Sequence, residues 1–319
     1  MRRVHNSYLS IVILSVAIPV IGCSRSAPND SAEPGTHRAE NVVVSDALNA
    51  QLEALGYVRE EGARPPAKKN DNPYANVDLS HFLEGLDATF VFQDVQNGIE
   101  IIQNEARAKT RFSPCSTFKI PNTLIALDTG VATGPDMEIP WDSKTYPKED
   151  WWDKALRPMG IVWDRNHTLK SAFKNSCVWY YRELAKRCGK ERMQGYLDNL
   201  DYGNKDLSGG IDVFWLESSL KISAVEQIGF LKKLVQGRLP ISEKTREAAF
   251  EVFEREKKAG RVLYAKTGGG KSIGWFVGIV ADGDKRYLFA FNMAGTYEET
   301  AKRRIDLSIK MLQELGVWF

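Results

Sequence analysis

The chain has 319 residues, of which 43% are hydrophobic and 26% charged. This composition is typical of a globular protein with a sizeable core and excludes a disordered or fibrous chain. Lys and Arg number 43 against 41 for Asp and Glu, a formal net charge of +2. Because this charge is small, nucleic-acid binding is not expected, and a function must come from a local site.

The first 22 residues have the order of a secretory signal. They hold Arg2 and Arg3, no acidic residue and an apolar run over 8–21 that is too short and too interrupted to span a bilayer. The run closes on Gly22 and Cys23, which resembles the bacterial lipoprotein signal, in which the cysteine is lipidated. We therefore expect residues 1–22 to be removed and an acyl chain on Cys23 to anchor the protein. No aspartate follows Cys23, which favours the periplasmic face of the outer membrane.

Residues 23–75 have the composition of a tether, rich in Ser, Ala, Pro, Glu, Lys and Asn. Leu48, Leu52 and Leu55 recur at helical spacing and predict one short helix over 46–57. That helix is either isolated or a docking element. The folded domain is expected to occupy residues 76–319.

The remaining elements follow in chain order. A strand over 88–92 and another over 99–102 flank an Asn97-Gly98 hairpin turn. Helices are predicted over 117–128 and about 169–188, strands over 261–267, 272–280 and 286–293, and a last helix with Ala301, Ile305, Ile309 and Leu312 on its inner stripe. Strands at both ends with helices between indicate an α+β domain, in which the terminal strands form an antiparallel sheet flanked by helices, with a helical subdomain.

Cysteines and histidines show no pattern of a disulfide or a metal site. If Cys177 and Cys188 share one helix, roughly 16 Å separates them at about 1.5 Å per residue, which is beyond disulfide reach. We therefore expect no disulfide between them. Cys115, beside the serine discussed next, is expected to be a packed small residue. The four histidines are scattered, so no metal site is expected.

The informative motif is Ser116-Thr-Phe-Lys119. Ser116 lies at the predicted start of a helix and Lys119 three residues on, so both side chains project from one face. A hydroxyl is a poor nucleophile until a base lies within hydrogen-bond reach, and the amine, or a group built on it, can be that base. The helix start also offers backbone N–H groups to a developing oxyanion.

The same S-x-x-K spacing also occurs over 171–174 and 218–221. Only Ser116 opens an apolar helix and precedes both Ser176-Cys-Val178 and Lys266-Thr-Gly268. Without these companions, Ser116 would be read as a helix cap beside a solvated lysine. The order of the motifs therefore singles out Ser116 as the nucleophile.

The set of motifs resembles the class D, oxacillin-hydrolysing serine β-lactamases. The matching segments occur in the family's order over most of 76–319: Ser116-Thr-Phe-Lys119, Ser176-Cys-Val178, Tyr202-Gly-Asn204, Phe214-Trp-Leu216 with Leu220-Lys-Ile-Ser223, and Lys266-Thr-Gly268. The resemblance implies the serine β-lactamase and penicillin-binding transpeptidase fold. It also implies hydrolysis of β-lactam antibiotics, with penicillins of the oxacillin type as substrates.

The resemblance also implies the chemical roles. Ser116 attacks the lactam carbonyl and becomes acylated, while the backbone N–H groups of Ser116 and Gly269 form the oxyanion hole. Lys119 is carboxylated by carbon dioxide or bicarbonate, with no other cofactor, and acts as general base for acylation and deacylation. Ser176 carries a proton to the leaving nitrogen. Trp215 donates its indole N–H to the carboxylated lysine, and Val178 shields it.

Carboxylation requires a neutral amine, so the pKa of Lys119 must be lowered by burial, which Phe118, Val178, Trp215 and Leu216 can provide.

Other residues are implied to bind the substrate. Lys266, Thr267 and Gly268 face the substrate carboxylate, with Gly268–Gly270 allowing close approach of the backbone. An arginine of the last helix binds the same carboxylate. The family spacing counted from Asn292 favours Arg304, with Arg303 as the alternative. Tyr202 lies in a loop beside the cleft.

Three alternatives to a class D hydrolase are weighed. Class A β-lactamases and penicillin-binding proteins share S-x-x-K and K-T-G, but their middle motif is S-x-N, whereas 176–178 read S-x-V. Glu217-Ser-Ser-Leu-Lys221 only partly matches the class A glutamate motif, because lysine replaces the asparagine. A β-lactam sensor domain would be acylated and stay acylated to signal. A tethered scaffold with a dead site is disfavoured because no motif residue is missing.

Overall fold

The computed structural model of the chain describes residues 72–319. The predicted signal over 1–22, the lipidation of Cys23 and the tether helix over 46–57 lie outside the described residues and stay predictions. Folded structure includes residues ahead of position 76, because Tyr74 is buried and its hydroxyl donates to Asp94 Oδ2 over 3.0 Å.

The strands form one six-stranded sheet and one short pair. They are β1 (Ala88–Asp94), β2 (Ile99–Gln103), β3 (Glu138–Ile139), β4 (His167–Thr168), β5 (Glu254–Lys258), β6 (Arg261–Gly269), β7 (Ile273–Asp282) and β8 (Lys285–Ala294). The large sheet has the order β2-β1-β8-β7-β6-β5, and every neighbouring pair in it is antiparallel. The N-terminal hairpin thus lies beside the last strand, with Ala88 opposite Met293. This confirms the predicted α+β sheet built from both ends.

The helices lie mainly between β2 and β5 in the chain. They are α1 (Glu105–Lys109), α2 (Lys119–Asp128), α3 (Leu169–Lys174), α4 (Val178–Cys188), α5 (Lys190–Leu200), α6 (Ala224–Val235), α7 (Glu243–Phe253), α8 (Tyr297–Thr300) and α9 (Arg303–Glu314). Turns of 3₁₀ helix cover Ser80–Leu83, Cys115–Phe118 and Arg157–Met159, and Trp152–Leu156 is a π-helical turn. Within 72–319 no helix combines the length and apolar character needed to cross a bilayer.

Two apolar cores cover the two faces of the sheet. The smaller core packs α9 against the sheet and includes Phe90, Phe276, Phe289, Met311 and Leu312. The larger core packs the other face against the helical region and includes Val91, Leu124, Leu184, Ile228 and Val277. Strands β1 and β7 are therefore buried on both faces, and their sequences are correspondingly apolar.

The sequence did not predict strand β5. Its five residues, Glu254–Lys258, are all charged and all exposed. Such an edge strand shows no apolar alternation, which is the signal used to find strands. Charged residues at a sheet edge also oppose pairing with other chains.

The predicted helix over about 169–188 was wrong as a single element. It is two helices, α3 and α4, because residues 175–177 leave helical geometry and Ser176 takes a φ of 52°. No proline or glycine marks the break in the sequence. Cys177 therefore precedes α4 instead of lying within it. Cys115, Cys177 and Cys188 are nevertheless buried and free, which confirms that no disulfide joins the last two.

The inner stripe predicted for the last helix was also partly wrong. The fully buried positions of α9 are Arg304, Ser308, Met311 and Leu312, while Ile305 and Ile309 are only partly buried and Ala301 precedes the helix. The helix turns Arg304 inward because its guanidinium donates to a backbone carbonyl of β6. The inward orientation of Arg304 therefore does not follow the apolar spacing from which the buried face of the helix was predicted.

Candidate active site

The nucleophile motif occupies a turn at the start of α2. Cys115–Phe118 form a 3₁₀ turn that continues into the α-helix at Lys119. The Ser116 side chain is partly exposed, and Lys119 Nζ donates to Ser116 Oγ over 3.0 Å. This confirms that the two side chains share one face. A base built on this amine would therefore lie within reach of the hydroxyl proton.

Lys119 is held in an apolar environment. Its side chain is 0% exposed, and Nζ lies 5.2 Å from the ring centroid of Tyr181 in α4. Burial lowers the pKa of Lys119 from its ordinary value of 10.5 to about 7, because desolvation penalises the charged form. The neutral amine is thus well populated near neutral pH, as the sequence required.

Trp215 contributes a buried donor that packs on the residue preceding Lys119. Its indole ring is fully buried and stacks on Phe118, the neighbour of Lys119, with 5.3 Å between the ring centroids. The indole N–H has no hydrogen-bond partner within 72–319. An unpaired buried donor costs about 1–3 kcal/mol, so this position favours an acceptor.

Ser176 lies in the connection that breaks the predicted helix. Phe173, at the end of α3, places its ring 5.6 Å from Lys266 Nζ, while Tyr181 of α4 packs near Lys119. The connection thus joins the two helices that contact both lysines. Ser176 is partly exposed, and Val178, the first residue of α4, packs against the larger core.

An open edge of β6 faces the nucleophile turn. Strand β5 pairs with β6 only as far as Tyr264, which leaves the edge of 265–269 without a strand neighbour. A Cβ added at Gly268 would lie 2.7 Å from the carbonyl oxygen of Pro114, and one at Gly269 would lie 2.6 Å from Arg304 Nη1. A side chain at either glycine would therefore collide with the nucleophile turn or with Arg304, whereas the close approach of a substrate to this backbone stays a prediction. Thr267, partly exposed, lies on the same edge.

Two buried cations lie beside this edge. Lys266 and Arg304 are each 4% exposed. Lys266 Nζ donates to the Thr267 carbonyl over 3.1 Å, and Arg304 Nη1 donates to the Gly268 carbonyl over 2.8 Å. Arg304 Nε, also buried, has no partner among residues 72–319. Burial, with the positive charges of Lys119 and Arg304 in addition, lowers the pKa of Lys266 well below its usual value. An anionic ligand would stabilise the protonated form of Lys266 and could accept a hydrogen bond from Arg304 Nε.

The structure also distinguishes the two candidate arginines. Arg303 is exposed, whereas Arg304 reaches the β6 edge. We expect Arg304→Ala to raise KM for a penicillin about 10- to 100-fold, because one charge-assisted hydrogen bond is worth about 1.5–3 kcal/mol. Steady-state kinetics measures this change. The matched variant Arg303→Ala should leave KM unchanged, and an equal effect of both substitutions would contradict the assignment to Arg304.

Tyr202 does not line the cleft, contrary to the prediction. It is fully buried, its ring packs edge-on against Phe118 and Phe230, and its hydroxyl lies 3.5 Å from Gln227 Oε1. Tyr202 therefore supports Phe118 from behind and cannot contact a substrate. The motif around it is structural as well, since Asn204 Oδ1 accepts the Lys221 N–H over 2.8 Å.

Three residues with positive φ lie at the site, and none is glycine. Cys115, Ser176 and Glu217 have φ values of 47°, 52° and 52°. Such strain often occurs at functional sites and needs support from the surrounding structure. Cys115 itself is a packed thiol, as expected, because burial raises its pKa to about 11. Sequence reasoning considered Glu217 only as a partial match to the class A motif and did not predict its strained backbone, since a left-handed conformation at a non-glycine residue has no sequence signature.

Comparison with known proteins places this geometry in a family. Residues 66–307 match the penicillin-binding protein transpeptidase domain. The chain is 36% identical over 234 residues to the probable β-lactamase YbxI of Bacillus subtilis, which covers 72% of this chain and 82% of YbxI. The chain belongs to the class D serine β-lactamases. The solved structure of the BPu1 β-lactamase is 37% identical, with a TM-score of 0.68 over 75% of this chain and 97% of that one.

The chain is also similar in sequence to a regulatory protein. The chain is 30% identical over 256 residues to the regulatory protein BlaR1 of Bacillus licheniformis, covering 77% of this chain and 40% of BlaR1. The sequence resemblance to class D β-lactamases is thus confirmed for family and fold. The chain is in addition similar to regulatory proteins over most of its length.

Proposed function

We propose that this class D β-lactamase hydrolyses penicillins of the oxacillin type through an acyl-enzyme on Ser116. The observation that carries the proposal is the 3.0 Å contact between the Ser116 hydroxyl and an amine that is fully buried. The two buried cations, Lys266 and Arg304, support an anionic substrate, since a penicillin presents one carboxylate to them.

In the proposed reaction, acylation and deacylation use these groups in turn. The Ser116 oxygen bonds to the lactam carbonyl carbon as its proton passes to a base, and the backbone N–H groups of Ser116 and Gly269 hold the oxyanion. Each donor is worth about 3 kcal/mol. The carbon–nitrogen bond then breaks, and Ser176 passes a proton to the leaving nitrogen. Water next attacks the ester, which releases the opened acid and restores the Ser116 hydroxyl.

The base in both steps is proposed to be a modified Lys119. Addition of carbon dioxide to the neutral amine, with loss of one proton, would supply a carbamate that acts as general base. The indole N–H of Trp215 would donate to this group, and Val178 would shield it from water. The buried indole N–H, which has no partner among residues 72–319, and the lowered pKa of Lys119 support this assignment.

Bicarbonate is expected to raise the rate of hydrolysis, with a definite pH dependence. Below about pH 7 the Lys119 amine is protonated in the folded protein, and carbamate formation also releases a proton. The dissolved carbon dioxide needed for half-maximal rate should therefore be at least about tenfold higher at pH 6 than at pH 8. This concentration is measured from initial rates in carbon-dioxide-depleted buffer to which bicarbonate is added at each pH. Equal requirements at both pH values would contradict the assignment.

A sensor function is the second candidate, favoured by the similarity to BlaR1. A sensor would be acylated at Ser116 and would not turn over. Mass spectrometry of the protein during penicillin exposure, together with product release, separates the two functions. Many turnovers per molecule support the hydrolase, whereas one stoichiometric adduct without further product selects the sensor.

We also propose that the protein is exported and held by a lipid on Cys23 at the periplasmic face of the outer membrane. The support is the order of residues 1–22 and the residue that follows Cys23. Labelled palmitate should enter the full chain and should be lost in Cys23→Ala. Equal labelling of both proteins would rule the anchor out.

A further inference from the structure

Ser113 joins three segments that border the site. It lies three residues ahead of the nucleophile and is 5% exposed. Its hydroxyl donates to the Trp215 carbonyl over 2.9 Å and accepts the Glu217 N–H over 2.9 Å. Its carbonyl accepts the indole N–H of Trp275, in β7, over 2.9 Å. One buried residue thus links the nucleophile segment, the loop that carries Trp215 and the central sheet.

Glu217 extends the same link to the turn after β6. Its carboxylate accepts the Lys271 N–H over 2.7 Å, two residues beyond the proposed oxyanion donor Gly269. The carboxylate packs so closely on this turn that a Cβ at Gly270 would lie 2.5 Å from its Oε1. The strained φ of Glu217 is therefore supported by a hydrogen bond at its backbone and another at its side chain.

These contacts determine where the Trp215 backbone lies. Stacking on Phe118 sets the plane of the indole but lets parallel rings slide at little cost. The hydrogen bond from Ser113 fixes the carbonyl of Trp215 by distance and direction. Without it, the Trp215 carbonyl and the Glu217 N–H would both lose their partner, and the loop would be free to shift.

We propose that Ser113 is a positioning residue, which holds Trp215 where its indole N–H stabilises the carbamate on Lys119, with Glu217 as a second support. This inference rests on the proposed function. It makes a prediction that a merely structural serine would not make: loss of the hydroxyl weakens retention of carbon dioxide, and excess bicarbonate repairs the defect.

The test compares three proteins: the unmutated chain, Ser113→Ala and Ser223→Ala. Ser223 is a matched control, because its buried hydroxyl accepts the Glu226 N–H at the start of α6. Penicillin hydrolysis is measured against bicarbonate, and the carbamate is followed by ¹³C NMR with labelled bicarbonate. We expect Ser113→Ala to need about tenfold more bicarbonate for half-maximal rate and to approach the unmutated rate at saturation. Ser223→Ala should lose thermal stability with its bicarbonate requirement unchanged.

Glu217 provides a second pair of variants that does not depend on a buried substitution. Its side chain is exposed, so Glu217→Ala should fold even if Ser113→Ala does not. We expect Glu217→Ala to raise the bicarbonate requirement a few-fold. Glu217→Gln should restore it, since an amide oxygen can still accept the Lys271 N–H.

The outcomes separate the inference from the proposed function. If the unmutated protein shows no bicarbonate response and no carbamate signal, the proposed function fails. If that protein responds, but Ser113→Ala and Glu217→Ala lose rate at every bicarbonate concentration with unchanged half-saturation, the positioning role of Ser113 is refuted while the proposed function stands. If Ser113→Ala does not fold, the Glu217 pair decides by the same criterion.

Discussion

Ser116→Ala is expected to lower kcat for penicillin hydrolysis by about four orders of magnitude or more. The substitution removes the hydroxyl that is proposed to form the acyl-enzyme, and removal of a catalytic nucleophile has effects of about this size. What remains is the contribution of the oxyanion donors and of substrate binding. Steady-state kinetics gives the loss, and mass spectrometry should show that the penicillin adduct disappears.

The control uses another S-x-x-K motif of the same chain. Ser171 completes the capping box of α3, whose N-cap is Thr168: its hydroxyl accepts the Thr168 N–H over 2.9 Å and lies 2.9 Å from Nδ1 of the His167 ring. Ser171→Ala should therefore lose about 1 kcal/mol of stability and keep its activity. An adduct that persists in Ser116→Ala would place the nucleophile elsewhere.

Lys119→Ala is expected to trap the enzyme as an ester. A general base contributes about 10²–10⁴ to a rate, and the proposed mechanism uses the same base twice, so kcat should fall by about 10³ or more. Deacylation has no substitute base, whereas slow acylation continues with excess penicillin. A penicillin adduct on Ser116 that lasts for hours, seen by mass spectrometry, measures this. Rapid turnover in Lys119→Ala would refute the assignment of the base.

Buried Lys119 is also expected to lower the free energy of unfolding at neutral pH. The pKa of Lys119 is about 7 in the folded protein against an ordinary value of 10.5, so the unfolded chain binds the additional proton between these values. The free energy of unfolding should therefore rise with pH from about 7 to about 10.5, by up to about 1.4 kcal/mol per pH unit. Lys119→Met fills a similar volume without the amine and should remove the part of that rise due to Lys119, while buried Lys266, whose pKa is also lowered, still contributes a rise.

Chemical denaturation at pH 7 and pH 9, in buffer free of carbon dioxide, tests this prediction. Lys119→Met should be more stable than the unmutated protein at pH 7, with the difference shrinking toward pH 9. A catalytic group that lowers stability is a common consequence of placing a polar function in a core. If the rise with pH is as steep in Lys119→Met as in the unmutated protein, Lys119 does not contribute to it.

Local patterns predicted the elements whose interactions are local. The 88–92 strand, the Asn97-Gly98 turn and the 99–102 strand were found because alternation and turn chemistry act over a few residues. The break at Ser176 was missed, because no residue type marks it. Tyr202 was misplaced for a related reason: a motif shows which residues recur, and whether a side chain faces a cleft or a core depends on its distant neighbours, here Phe118 and Phe230.

By itself, the sequence determined the order of the motifs, the family and the one-turn spacing of Ser116 and Lys119, since helical geometry follows from the backbone alone. Only the tertiary structure decided what those groups experience. The pKa of Lys119 depends on burial, and the choice of Arg304 depends on where α9 packs. The Trp215 indole N–H, which has no partner among residues 72–319, belongs to a loop whose backbone accepts a hydrogen bond from Ser113. These properties arise from groups far apart in the chain, because solvation is determined by everything that surrounds an atom.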